Sequence, residues 1–210
     1  MKLDLFPLHT VLFPGKLLPL HIFEPRYLNM IGECVTNNSV FGVALIADGK
    51  EVGEAAIPHD TGTTARIQTI EKQPDGPLDI VVVGESRFQI DAIISYEPHV
   101  IADVEFLPLP DNDSEAVRIS AAEVRKRFDR LVTVMIEVQS GYMPVVELPS
   151  DIVQLAYLVA AEIPSDLLIA QRLLEARTLQ SLLDMERVLL DERIEQATRL
   201  LRDKIHARRN

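Results

Sequence analysis

Apolar positions along the chain follow two rhythms, and the change between them falls near residue 110. In the front half they come in short runs. Phe41-Gly42-Val43-Ala44-Leu45-Ile46 is apolar throughout and stops at the turn pair Asp48-Gly49, the pattern of a short buried strand. Ala65-Arg66-Ile67-Gln68-Thr69-Ile70 alternates, as a half-buried strand does. Leu78-Asp79-Ile80-Val81-Val82-Val83 follows the turn residues Gln73-Pro74-Asp75-Gly76, so these two runs predict a hairpin. Arg87 to Ile93 alternates again, and Val100 to Phe106 follows closely. Successive strands at this spacing predict a small antiparallel barrel or sandwich. One helix interrupts them: Pro25 suits a first helical turn, and Leu28, Ile31, Cys34 and Val35 recur at helical spacing.

Behind the segment 107–113, whose two prolines and polar turn residues predict an extended linker, the rhythm becomes helical. Ser114 is placed to cap a helix running to about Val138, which Ser140-Gly141-Tyr142-Met143-Pro144 ends. Asp151 opens a second helix carrying Ile152, Leu155, Ala156 and Val159. Pro164-Ser165-Asp166 stops it and caps a third, and Thr178 opens the last and longest. On that helix Leu183, Leu190, Ile194, Ala197, Leu201 and Ile205 form one apolar stripe, with Arg187, Glu192, Arg193, Glu195 and Arg199 opposite. Each fully buried Leu or Ile is worth roughly 1.5–3 kcal/mol, so the stripe must be covered. The cover is either the other helices of the same chain or a coiled-coil partner. The fold class read from these patterns is α+β, with a β-rich subdomain over 1–110 and an α-helical subdomain of about four helices over 111–210.

Bulk properties narrow the function classes. A chain of 210 residues needs neither disulfide nor metal to bury a core. Cys34 is the only cysteine, which excludes an internal disulfide and a cysteine-built zinc site and suits a reducing cytoplasm. Residues 2–7 hold an acid and a proline and do not read as a signal peptide, and no apolar run approaches the ~20 residues of a membrane span. A soluble cytoplasmic protein with no membrane partner is expected. The net charge of −11 is concentrated in residues 1–110, where 7 basic side chains face 15 acidic ones. Such a surface repels phosphate backbones, so no nucleic-acid partner is expected. The basic residues Arg199, Arg202, Lys204, Arg208 and Arg209 read first as cations at a helix carboxy-terminus.

Catalytic signatures fail on inspection. Gly15-Lys16 and Gly49-Lys50 lack the upstream glycine and following hydroxyl of a phosphate loop. Gly84-Glu85-Ser86-Arg87-Phe88 has phenylalanine where a nucleophile elbow needs glycine, and it falls between two predicted strands. Asp60-Thr61-Gly62 has the letters of an aspartic-protease triplet in a single copy, and is read as a turn leading into the strand at Thr64. His9, His21, His59, His99 and His206 stand at no metal-ligand spacing. Neither metal, cofactor nor catalytic residue is expected.

The opening is the most distinctive stretch. Leu5-Phe6-Pro7-Leu8 is followed by Val11-Leu12-Phe13-Pro14-Gly15, then by Leu18-Pro19-Leu20-His21-Ile22-Phe23-Glu24-Pro25-Arg26-Tyr27. Its prolines remove backbone donors and suit sheet edges. Phe6, Phe13 and Phe23 read as core or barrel-plug residues, and Glu24 with Arg26 as charges fixing the turn into the helix. The stretch resembles the amino-terminal, substrate-recognising domain of Lon proteases and the free-standing proteins made of that domain alone. Gly62-Thr63-Thr64-Ala65-Arg66-Ile67, Gly84 to Ile90, Leu158 to Pro164 and Gln171 to Glu175 continue the resemblance in order. It implies a PUA-like pseudo-barrel of six strands joined to a helical bundle, and a recognition part lacking the ATPase and serine-lysine peptidase modules.

The resemblance further implies a non-catalytic module for unfolded or hydrophobic polypeptide, with a protease or chaperone as candidate further partner and a monomer or weak homodimer as its state. Phe13, Pro14, Leu18, His21, Phe23, Glu24 and Arg26 are then candidate substrate-binding residues. A sensor holding a small molecule inside the barrel is the competing reading.

Overall fold

The computed structural model describes residues 1–53, 56–74, 76–110, 114–139 and 147–207. In chain order its elements are β1 (Lys2–Leu8), β2 (Leu17–Ile22), α1 (Pro25–Asn37), β3 (Phe41–Asp48), β4 (Ile57–Lys72), β5 (Leu78–Ser95), β6 (Val100–Phe106), α2 (Glu115–Gln139), α3 (Ile152–Glu162), α4 (Leu167–Leu174) and α5 (Leu179–Ala207). They group into two compact units. One holds Met1–Pro108 with Asp166–Glu175, and the other Leu109–Ser165 with Ala176–Asn210.

In the first unit the six strands form one sheet. Its pairings run β2-β5-β4-β3-β1-β6, and β6 pairs again with β5. Five strands therefore close a circuit, and β2 hangs on the longest of them. β1 and β3 are parallel, while the other pairs are antiparallel. Pro19 lies on β2, which pairs only with β5, and Pro7 lies where β1 has only β3 beside it. Both places tolerate a missing donor.

Two expectations are corrected here. The runs 78–83 and 87–93 are one strand of 18 residues, so Gly84-Glu85-Ser86 continues β5 and does not separate two strands. Gly84 marks a close approach instead of a turn: its N–H donates to Lys16 O at 3.0 Å, its carbonyl accepts from Gly15 at 2.8 Å, and an added Cβ would lie 2.3 Å from Phe13 O. Asp60-Thr61-Gly62 likewise lies inside β4, not in a turn. There Thr61 Oγ1 donates to Gln89 Oε1 at 3.2 Å, and a Cβ at Gly62 would sit 2.5 Å from Val43 O.

Side chains divide between two cores along β5. Leu3, Leu5, Ala44, Phe88, Val100, Ala102 and Val104 form one cluster among the ring strands. Ile80 and Val82 join a second with Phe6, Phe41 and, from α1, Tyr27, Met30, Ile31 and Cys34. α4 is held to the strands by two buried polar groups. Gln171 Nε2 donates to Thr61 O at 3.0 Å, and Arg87 Nη1 donates to Leu174 O at 2.6 Å. Arg87 is only 2% exposed, its cation set against the negative end of a helix.

The second unit contains α2, α3 and α5. Its helix starts follow the capping residues: Ser114 Oγ accepts from Val117, Asp151 from Gln154, and Thr178 exchanges bonds with Ser181. Asp166 caps α4 in the same way. The predicted break at 140–144 and the linker residues 111–113 lie outside the described residues. Contacts between α2 and α5 advance together, from Ser120–Gln180 through Glu123–Arg187 and Arg127–Asp191 to Val138–Lys204, so the two helices run parallel. Lys204 thereby places its cation on the carboxy-terminal carbonyls of α2. Leu183, Leu190, Ile194 and Ala197 of the stripe are buried. Among them sits Glu186, 0% exposed, whose carboxyl burial pushes far above the usual range.

Two tests follow from this packing. Gly84→Ala should destabilise the chain by about 1–3 kcal/mol, because backbone cannot yield to the new methyl group. Gly32→Ala, on an open helical face, should stabilise it by about 0.5–1 kcal/mol. Urea titration compares the two. For Glu186 the folded state retains a proton that the unfolded chain releases, so stability should decline as pH rises above the unfolded carboxylate value of about 4.3. Glu186→Gln should flatten that decline and raise the denaturation midpoint at neutral pH. A variant no more stable than the parent would contradict it.

Candidate functional site: a three-strand extension and helix α1

Beyond the ring, β2 and the adjoining halves of β4 and β5 form a three-strand extension. Its register is set by Leu17↔Val83, Pro19↔Val81 and His21↔Asp79 on one side of β5, and by Thr69↔Val81 and Glu71↔Asp79 on the other. Alternation along β2 sends Leu18, Leu20 and Ile22 to the core under the sheet and Leu17, Pro19 and His21 to its outer face. Leu17 is 56% exposed there, and Phe23, just past the strand, 49%. A shallow depression of about 320 Å³ lies on this side, lined in part by Pro19, His21, Thr69, Glu71, Asp79 and Val81.

The polar rim of this face is organised by Asp79. His21 Nδ1 donates to Asp79 Oδ1 at 2.6 Å, and Gln73 Nε2 donates to its other oxygen. The His21 hydrogen bond holds the Asp79 carboxyl below its usual range, with Gln73 adding to the effect. On the opposite side, α1 packs its Tyr27, Met30, Ile31 and Cys34 into the core and leaves Val35 51% exposed. Ile70 of β4 is 43% exposed, and the two residues share a second depression of about 210 Å³. Burial pushes the Cys34 thiol up, away from a reactive thiolate.

The seven candidate residues from the opening motif divide into three groups. His21 and Phe23 come together on the outer side, their rings 5.9 Å apart. Glu24 and Arg26 pair at 2.9 Å, with the guanidinium 4.6 Å above the Tyr27 ring and Glu24 accepting from Gly53 N–H at 3.2 Å. They brace the entry to α1. Phe13 is buried, Pro14 is half-buried beside it in sequence, and Leu18 packs against the core under the extension. Leu17, Asp79, Val35 and Ile70 escaped the sequence reading. For Val35, helical spacing gave the wrong signal, since it shares the periodic set of Leu28 and Ile31 yet falls at the rim. Among the described residues, no group of three or more His, Cys, Asp or Glu side chains is arranged to hold a metal ion. No described helix is long and apolar enough to cross a membrane.

The fold is that of Lon amino-terminal domains. A Lon N-terminal domain protein from Xanthomonas campestris superposes with a TM-score of 0.66 at 25% identity, covering 88% of this chain and 95% of that one. The N-terminal domain of the Mycobacterium avium complex Lon protease gives the same TM-score at 17% identity, a likeness of fold. Residues 2–192 match the sequence model of the ATP-dependent protease La (LON) substrate-binding domain, and the chain belongs to that family. Lon protease of Flavobacterium johnsoniae is 33% identical over 124 residues, 57% of this chain and 15% of that protein. Lon protease 4 of Sorangium cellulosum is 35% identical over 125 residues, 59% and 15% respectively. The matched stretch thus spans about 15% of the length of these curated relatives.

The His21–Asp79 contact gives a direct test. A depressed carboxyl value means that its contribution to stability is present above the unfolded value of about 3.9 and is lost as pH falls through the folded one. His21→Ala should move the Asp79 titration upward toward the ordinary carboxylate range, as followed by carboxyl carbon NMR. An unmoved titration would show that Gln73 alone sets it.

Proposed function

We propose that this chain binds unfolded or hydrophobic polypeptide segments, catalyses nothing itself, and delivers its clients to a protease in the cytoplasm. The observation that carries the reading is the set of exposed apolar side chains on the extension and α1, Leu17 and Phe23 outside and Ile70 with Val35 of α1 below, in a chain of the Lon substrate-binding family. Apolar side chains held apart by a rigid sheet can each take one client side chain, which gives affinity without demanding a sequence. The rival site, a small-molecule pocket within the ring, gains no support from the packing there. A Cβ on Gly42 would lie 2.4 Å from Leu5, and one on Gly62 would lie 2.5 Å from Phe88.

The test is fluorescence anisotropy with one labelled protein, offered in its native and in a permanently unfolded form. Saturable binding to the unfolded form alone is expected. Leu17→Asp combined with Phe23→Asp should weaken it about tenfold, or roughly 1.4 kcal/mol, with an unchanged melting temperature. Equal binding of both forms, or none, would contradict the proposal.

A further inference from the structure

The extension has two open edges, and their main-chain chemistry differs. On β2 the bond from Gly84 N–H to Lys16 O sets the phase. The carbonyl of Lys16 and the main-chain groups of Leu18, Leu20 and Ile22 face β5, and Leu17, Pro19 and His21 turn theirs outward. Pro19 has no N–H to offer, so the middle of this edge lacks a donor. Such a proline blunts an edge against strand pairing.

β4 is different. Its pairing with β3 stops at Ala65↔Phe41, while its pairing with β5 continues, through a shift of register between Ile67 and Thr69, to Lys72↔Leu78. Residues 66–72 therefore have a strand on one side only. Gln73 N–H donates to Pro77 O at 2.9 Å, which fixes the phase. Counting back by twos, Glu71 and Thr69 bond to β5, and Ile70 and Lys72 direct N–H and C=O to the unpaired edge. No proline occurs between 66 and 72.

Beside this edge runs the end of α1. Val35 and Asn38 on the helix side and Arg66, Ile67 and Ile70 on the strand side line the depression of about 210 Å³. Two apolar side chains, Val35 and Ile70, stand half-exposed at its rim. The helix ends here with no basic residue in its last turn, so its negative pole lacks a cation of its own there. Arg66 reaches Asn38 O at 3.4 Å but is already paired with Glu85 at 2.5 Å. Residues 1–110 carry a charge balance of −8.

From this geometry we infer that the client enters as an added β-strand on residues 69–72 of β4, beyond the register shift at residue 68, lying between that edge and the end of α1. This rests on the polypeptide-binding reading above and specifies its mode. The occupant is an extended segment with apolar side chains at alternate positions and at least one Lys or Arg to meet the helix end. Main-chain bonds from Ile70 and Lys72 supply affinity common to all sequences, and the apolar groove and helix pole select among them.

The experiment is amide hydrogen exchange by NMR on the intact chain, with and without a saturating permanently unfolded protein. Exchange at Ile70 and Lys72 should slow by about tenfold or more, while Thr69 and Glu71, already bonded to β5, change little. Ile70→Pro, which deletes the outward donor, should weaken binding about tenfold, and Ile70→Val, which keeps it, by at most about twofold. If the unfolded protein binds but these amides exchange as before, strand addition is wrong and polypeptide binding stands. If it does not bind at all, both fall.

Discussion

The structure depends on Gly84 lying against the backbone of Phe13 to Lys16. Two hydrogen bonds form across that approach, and no side chain larger than hydrogen fits between the two chain segments. β5 runs on past this point, with a shift of register against β4 between Gly84 and Arg87, and so one strand of 18 residues serves two purposes. Its second half closes the ring with β4 and β6, and its first half carries β2 and the free part of β4 beyond the ring. The two hydrophobic clusters meet the strand on either side of the glycine, with Ile80 and Val82 before it and Phe88 after it.

That division is the structural basis for proposing the extension as the recognition surface. The ring is filled by its own side chains, so its strands are spent on stability. The extension is supported from below by α1 and exposes an outer face and two edges. Open edges are ordinarily an aggregation risk, and the two are handled differently. β2 is short and carries Pro19, whereas β4 keeps its donors and has α1 alongside. In the proposed mode of binding, a platform with one usable edge would accept extended chain of many sequences and exclude folded surfaces, whose strands are already paired. On that proposal, discrimination between unfolded and folded protein would come from backbone geometry.

Much of the fold was legible in the residues. The strands around 41–46 and 100–106, the helix after Pro25 and the caps at Ser114, Asp151, Asp166 and Thr178 all carry local signals that structure obeys. What was misread depends on tertiary approach. Gly84 and Gly62 look like turn residues, since sequence cannot distinguish a glycine needed for positive φ from one needed for lack of a Cβ. The helix at 167–174 reads as one more bundle helix, although Gln171 and Arg87 fasten it to the strands. Glu186 shows no sequence mark of burial, because a carboxylate on an amphipathic helix ordinarily faces water. Of the candidate site, only His21 and Phe23 came from the sequence. Ile70 lies beyond the point where β3 stops pairing with β4, which no local pattern records.

The most direct measurement is an NMR map of shift changes over the whole chain as a permanently unfolded protein is added. The perturbed resonances should gather in residues 17–23, 66–72 and 78–83 and at the end of α1, with the ring strands β1 and β6 unmoved. Changes confined to α2, α3 and α5, with the extension silent, would contradict it.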